Sequence, residues 1–218
     1  MKPASDQAET LRAWAKKNTA ASRMPAITAV SPCSGPPMLA IGGGKGGIGK
    51  TVLTANLAVA LGARGRRVLA VDADLGLSNL DLALGASPER TMADMLTANV
   101  GLPDVLAPAG HNVHLLAGAV GQVELMSLGF HGRMSLLDTI TEHRTAFDMV
   151  LIDMASGIGE HVVQFAQFAG RVIVVATPEP TSLADAYAFI KVLRTRCGIK
   201  EAHFVANMVR SQAEGEAL

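Results

Sequence analysis

One stretch restricts this chain's fold more than any other: Gly44-Lys45-Gly46-Gly47-Ile48-Gly49-Lys50-Thr51, which matches the phosphate-loop pattern G-x-x-x-x-G-K-(S/T) without a gap. Such a loop needs a strand before it and a helix after it. Met38-Leu39-Ala40-Ile41 reads as a buried strand entering the loop. Leu53, Leu57, Ala60 and Leu61 then recur at helical spacing until Gly62. The glycines let the backbone wrap close to phosphate oxygens with its N–H groups pointing inward, and the new helix adds the positive end of its dipole. Lys50 supplies a point charge for the β- and γ-phosphates, and the Thr51 hydroxyl is placed to ligate magnesium. A glycine-rich turn that binds nothing is the bland alternative, and the strand–turn–helix context weighs against it.

Apolar strands interleaved with helical stretches extend the pattern along the chain. Arg67–Val71, Val113–Leu116, Met149–Ile152, Val172–Ala176 and His203–Ala206 read as strands. Pro88–Asn99, Met134–His143 and a stripe of Leu183, Ala186, Tyr187, Ile190 and Leu193 read as helical, the last capped by Thr181 or Ser182. Repeated β-α units with apolar strands predict an α/β fold, a mostly parallel sheet with helices on both faces. Carboxylates follow two of the strands, Asp72 and Asp74 after one and Asp153 after another, at the end of the sheet where α/β folds bind ligands. Taken singly, each could equally be a cap of the following turn. Beside a complete phosphate loop, Asp153 is read as the carboxylate that serves magnesium through its water shell.

Composition removes other classes. At 218 residues and 49% hydrophobic content, the chain can bury one substantial core. Nineteen basic side chains balance 19 acidic ones, so no net field draws it to nucleic acid or anionic lipid. No apolar run reaches transmembrane length, and the N-terminus lacks the apolar core of a secretory signal. Cys33 and Cys197 stand apart with no metal-ligand spacing, as expected of thiols in a reducing cytosol.

Lys45, directly after the first glycine of the loop, is not required by an ordinary phosphate loop. The run Gly-Lys-Gly-Gly-Ile-Gly-Lys-Thr resembles the deviant Walker A box of the MinD/ParA family of ATPases. That resemblance implies ATP/ADP and Mg2+ as ligands, and a homodimer bridged by ATP in which Lys45 reaches the partner's nucleotide. The run D-A-D-L-G-L-S-N-L-D from Asp72 to Asp81 resembles the family's first switch, which implies that Asp74 positions the hydrolytic water and Asp72 supports the metal site. By the same likeness Gly44 through Val52 form the cradle, the Gly157 amide senses the γ-phosphate, and Asn207 with Arg210 lies at the adenine. Catalysis would thus rest on Lys45, Lys50 and Asp74, with Thr51, Asp72 and Asp153 at the metal. Met154 departs from the usual threonine, which puts hydrolysis in question more than binding. Ser156 replaces the usual alanine.

Residues 4–18 are expected to form a helix of their own, with Ser5 as cap, Asp6 and Glu9 at its start, and Arg12, Lys16 and Lys17 towards its end. Asp6-Gln7-Ala8-Glu9-Thr10-Leu11-Arg12 resembles the D-Q-A-x-x-L-R activator motif of the FlhG-type flagellar-number regulators within the same family. This implies that Asp6, Gln7, Ala8, Leu11 and Arg12 dock on and stimulate an FlhF-like GTPase. A cytoplasmic protein follows, recruited to the pole or inner membrane through partners such as basal-body proteins. Residues 19–37, with Pro25, Pro32, Pro36 and Pro37, read as a flexible tether, and 38–218 as the ATPase domain. Ser211–Leu218 is short and acidic, so a truncated chain, or membrane attachment that is absent or indirect, is expected. Two other readings stay open: a nucleotide-gated binding module with negligible turnover, and a ParA-type DNA-partitioning ATPase.

Overall fold

Side-chain alternation along the central strands builds two cores, one on each face of a single sheet. In β5 (Met149–Met154), Val150, Ile152 and Met154 join one buried cluster, while Leu151 joins the other. The period of two in a strand makes this sorting automatic. A computed structural model describes residues 35–98, 100–118 and 129–218. The docking motif, most of the tether and Gly118–Leu128 save its first residue lie outside the described residues.

The sheet has seven strands: β1 (Met38–Gly42), β2 (Val68–Ala73), β3 (Leu106–Pro108), β4 (Val113–Leu116), β5, β6 (Val172–Ala176) and β7 (His203–Ala206). Their order is β3-β4-β2-β5-β1-β6-β7, and every pairing is parallel except β3 with β4. The predicted α/β architecture is therefore the one observed. Helices α1 (Lys50–Gly62), α2 (Leu80–Leu84), α3 (Met92–Thr97), α4 (Leu102–Val105), α5 (Phe130–His143), α6 (Glu160–Ala169), α7 (Pro180–Arg196) and α8 (Gln212–Glu216) connect the strands. The cluster holding Ala55 and Ala58 of α1 covers one face, and the cluster holding Leu136, Phe165 and Phe189 of α5, α6 and α7 covers the other.

Register places the site. Asp72 lies beside Asp153, and Ile41, one residue before the end of β1, also pairs with Asp153. The phosphate loop therefore leaves the sheet next to both carboxylates.

Two local expectations are corrected. The stripe of α7 is Ser182, Ala186, Phe189 and Leu193, whereas Tyr187 is 72% exposed. Tyr187 lies one helical step from Ala186, about 100° around the axis, so the spacing that fits Leu183 and Ile190 selects the wrong flank. The cap of α7 is Glu179, with Pro180 in the first turn; Ser182 Oγ instead accepts the Thr177 N–H at 3.0 Å. The helix expected over 88–99 is also shorter, because Thr91 caps it in a reciprocal box with Asp94.

Candidate nucleotide-binding site

Helix α1 begins at Lys50, and its start is bought by a left-handed glycine. Gly49 has φ +91°, and a Cβ there would sit 2.3 Å from Asn207 Nδ2. Both the backbone angle and the close approach exclude any side chain. That contact defines Asn207: its amide donates to the Ile48 carbonyl at 2.8 Å, and its own N–H donates to Ala176 O at 2.8 Å. Asn207 thus ties the end of β7 to the phosphate loop, with one amide donor already engaged by the loop. Arg210 is exposed three residues further on.

The floor of the loop is electrically unusual. Lys50 is only 8% exposed, and burial lowers its pKa, opposed by the charges of Asp153 and Asp74. Asp153 is 2% exposed and its pKa is raised from 3.8 to about 6, chiefly by burial and further by the charge of Asp72. The hydroxyls of Thr51 and Thr54 hydrogen-bond to its carboxylate, Thr54 at 3.1 Å. Thr54 was not picked out by motif, although its place one helical turn after Lys50 puts it on the same face of α1.

Asp72 is fully buried, and its oxygens accept from Asp74 N, Ser78 Oγ, Asn79 N and Leu80 N at 2.6 to 3.1 Å. Burial raises its pKa as well. With four donors from its own loop, Asp72 organises the 74–80 turn and the start of α2, an indirect support of the metal site rather than a ligand to it. Asp74 is half-buried, and its Oδ1 accepts Gly76 N at 3.3 Å and Leu77 N at 3.1 Å.

Among the described residues no group of three or more His, Cys, Asp and Glu is arranged to cage a metal ion. The donor set nevertheless suits magnesium, which takes one or two protein oxygens and completes its shell with phosphate and water. The Thr51 hydroxyl and the Asp153 carboxylate are adjacent hard oxygen donors. The buried, partly uncompensated charge at Asp153 is what a divalent cation would relieve.

The loop after β5 folds over the phosphate loop. Gly157 has φ +95°, and its N–H donates to Gly43 O at 3.1 Å. Lys50 Nζ donates to Ser156 Oγ at 2.6 Å and to Lys45 O at 3.3 Å, and Ser156 Oγ donates to Lys45 O at 3.2 Å. Met154, the departure from the family's threonine, points the other way: its methyl lies over Gly42 in the core on the far face. Lys45 pairs with Glu179 and donates to Thr181 Oγ1 at 3.1 Å, so the signature side chain rests on the β6–α7 turn of its own chain. Neither Glu179 nor Thr181 was singled out for this role, since nothing local links residues more than 130 positions apart.

Gly47, Gly49, Lys50, Thr51 and Val52 open into a cavity of about 580 Å³ closed by Asn79, Leu82, Ala83 and Met208. Of the predicted site residues, the structure gathers Gly44 to Val52, Asp72, Asp74, Asp153, Gly157 and Asn207 at this one end of the sheet.

Residues 39–218 match the model of the CobQ/CobB/MinD/ParA nucleotide binding domain. The chain is 40% identical over 181 residues to the antiactivator FleN of Pseudomonas aeruginosa, covering 83% of this chain and 65% of that protein. It is 32% identical over 181 residues to the flagellum site-determining protein YlxH of Helicobacter pylori, covering 82% and 60%. The chain thus spans less than two thirds of the length of these curated relatives. Among solved structures, the septum site-determining protein MinD from Pyrococcus horikoshii, complexed with Mg-ADP, superposes with a TM-score of 0.69 at 32% identity over 81% of this chain and 72% of that one. The phosphate loop, the paired strand-end aspartates and these matches agree, and the chain belongs to the CobQ/CobB/MinD/ParA nucleotide-binding domain family.

Proposed function

We propose that this chain is a magnesium-dependent ATPase switch of the FlhG type, dimerising around ATP and controlling flagellar placement and number. The observation that carries the reading is the convergence of Lys50, Thr51 and Asp153 beneath one glycine loop. The likeness to FleN and YlxH supports the flagellar output.

Lys50 and the loop amides would hold the β- and γ-phosphates in place, so that positioning and preplaced charge do most of the catalytic work. Magnesium bound with the nucleotide would neutralise charge on those oxygens, held by Thr51 and, through water, by Asp153. Asp74 would orient the attacking water, a role that requires it to loosen its hold on the Gly76 and Leu77 amides. Asn207 and Arg210 would border the adenine, and the Gly157 amide would exchange Gly43 O for the γ-phosphate.

Lys45 would leave Glu179 and Thr181 to reach a second protomer. That move is inexpensive: Lys45 is 37% and Glu179 63% exposed in side chain, and exposed pairs contribute about 1 kcal/mol or less. The N-terminal segment with Asp6, Gln7, Ala8, Leu11 and Arg12 would dock on an FlhF-like GTPase. Phosphate release assayed with ATP and Mg2+, against an EDTA control, tests the enzymatic core: magnesium-dependent turnover is expected, and none with or without a partner GTPase would refute it.

A further inference from the structure

Lys50 is held by two acceptors of its own chain, and they are not equivalent. One is a backbone carbonyl, Lys45 O, at 3.3 Å; the other is the Ser156 hydroxyl at 2.6 Å. An ammonium has three N–H groups. With two engaged, one remains for a phosphate. A diphosphate offers Lys50 its β-phosphate alone, which that third donor can meet with no rearrangement. A triphosphate offers both β- and γ-oxygens, so a full grip needs a second donor and one internal bond must open. The shorter bond is also the one that can move: Ser156 is exposed, sits in the loop after β5, and is followed by Gly157 in a left-handed conformation. Lys45 O, by contrast, belongs to the cradle itself.

Resting on the nucleotide reading above, we infer that Ser156 is a positioning residue that makes Lys50 discriminate between nucleoside di- and triphosphates. Its hydroxyl competes with the γ-phosphate for one Lys50 N–H, so the triphosphate must displace the loop after β5 and the diphosphate need not. The same loop is fastened to the cradle by Ser156 Oγ to Lys45 O and by Gly157 N to Gly43 O. Release of the Lys50 bond therefore loosens one of three ties and reports the third phosphate to that loop.

The test is equilibrium binding, by displacement of a fluorescent nucleotide, of ADP and of a non-hydrolysable ATP analogue to the wild-type chain, Ser156→Ala and Ser156→Thr in Mg2+. Hydrogen bonds to charged groups are the stronger class, so removing the competitor is expected to tighten the triphosphate analogue about tenfold. ADP affinity should change by less than about twofold. Ser156→Thr, which keeps the hydroxyl, should restore wild-type values. Equal changes for both nucleotides, no change, or weaker analogue binding in Ser156→Ala would each overturn the inference. If the wild-type chain binds neither nucleotide, the nucleotide reading itself fails, and the two failures are distinct.

Discussion

Replacing Asp153 with asparagine should make the nucleotide-free protein more stable while removing its response to magnesium nucleotide. Asp153 is 2% exposed, with a pKa raised from 3.8 to about 6 by burial and by the neighbouring charge of Asp72. At about 1.4 kcal/mol per pKa unit, the ionised carboxylate costs the fold about 3 kcal/mol at neutral pH. Because the folded carboxyl keeps its proton more tightly than the unfolded one, this contribution favours folding fully below pH 3.8 and is lost as pH rises through about 6. Asparagine carries no charge and still offers an oxygen to Thr51 and Thr54. For a chain of this size, relief of about 3 kcal/mol raises Tm by roughly 6–12 °C at pH 7.5. Thermal unfolding of wild type and Asp153→Asn from pH 4.5 to 8, with and without Mg-ADP, is the assay. Wild type should lose stability relative to the variant as pH crosses about 6, and Mg-ADP should then stabilise wild type more than the variant. A variant less stable than wild type at pH 7.5 without nucleotide, or one that gains as much from Mg-ADP, would refute the view that a buried charge here is held for a cation.

Other outcomes follow from the same geometry. Glu179→Gln removes the charge that holds Lys45 on its own chain, and should favour ATP-dependent self-association by no more than about fivefold, read by sedimentation velocity, since the pair is exposed. Gly49→Ala places a Cβ 2.3 Å from Asn207 Nδ2 at φ +91° and should abolish nucleotide binding in a filter or fluorescence assay. Deletion of residues 1–18 should remove stimulation of an FlhF-like GTPase and leave ATP affinity unchanged; undiminished stimulation would reject the docking assignment.

The cradle was legible because its requirements are local. A strand, four glycines and a Lys-Thr pair within eight residues state the whole backbone problem, and strand-end aspartates follow from the α/β arrangement. What stayed hidden depends on contacts between distant segments. That Asp72 is saturated by its own turn while Asp153 faces Thr51 and Thr54 is decided by register, which pairs the two residues side by side. Lys45 on Glu179, and Asn207 against Gly49, join segments more than 130 residues apart. Met154 reads as a lost hydroxyl at the site, yet strand alternation turns it into the opposite core. On α7, Tyr187 and Phe189 have similar claims to burial by composition, and only packing against the β6 face chooses Phe189.

The most direct measurement is the solution mass of the chain with a non-hydrolysable ATP analogue and Mg2+, by light scattering, for wild type and Lys45→Ala. The wild-type mass should double from 22.6 kDa with the analogue and stay single with ADP, while Lys45→Ala stays single with both. A wild-type chain that binds the analogue as a monomer, or a Lys45→Ala chain that doubles just as well, would contradict the account.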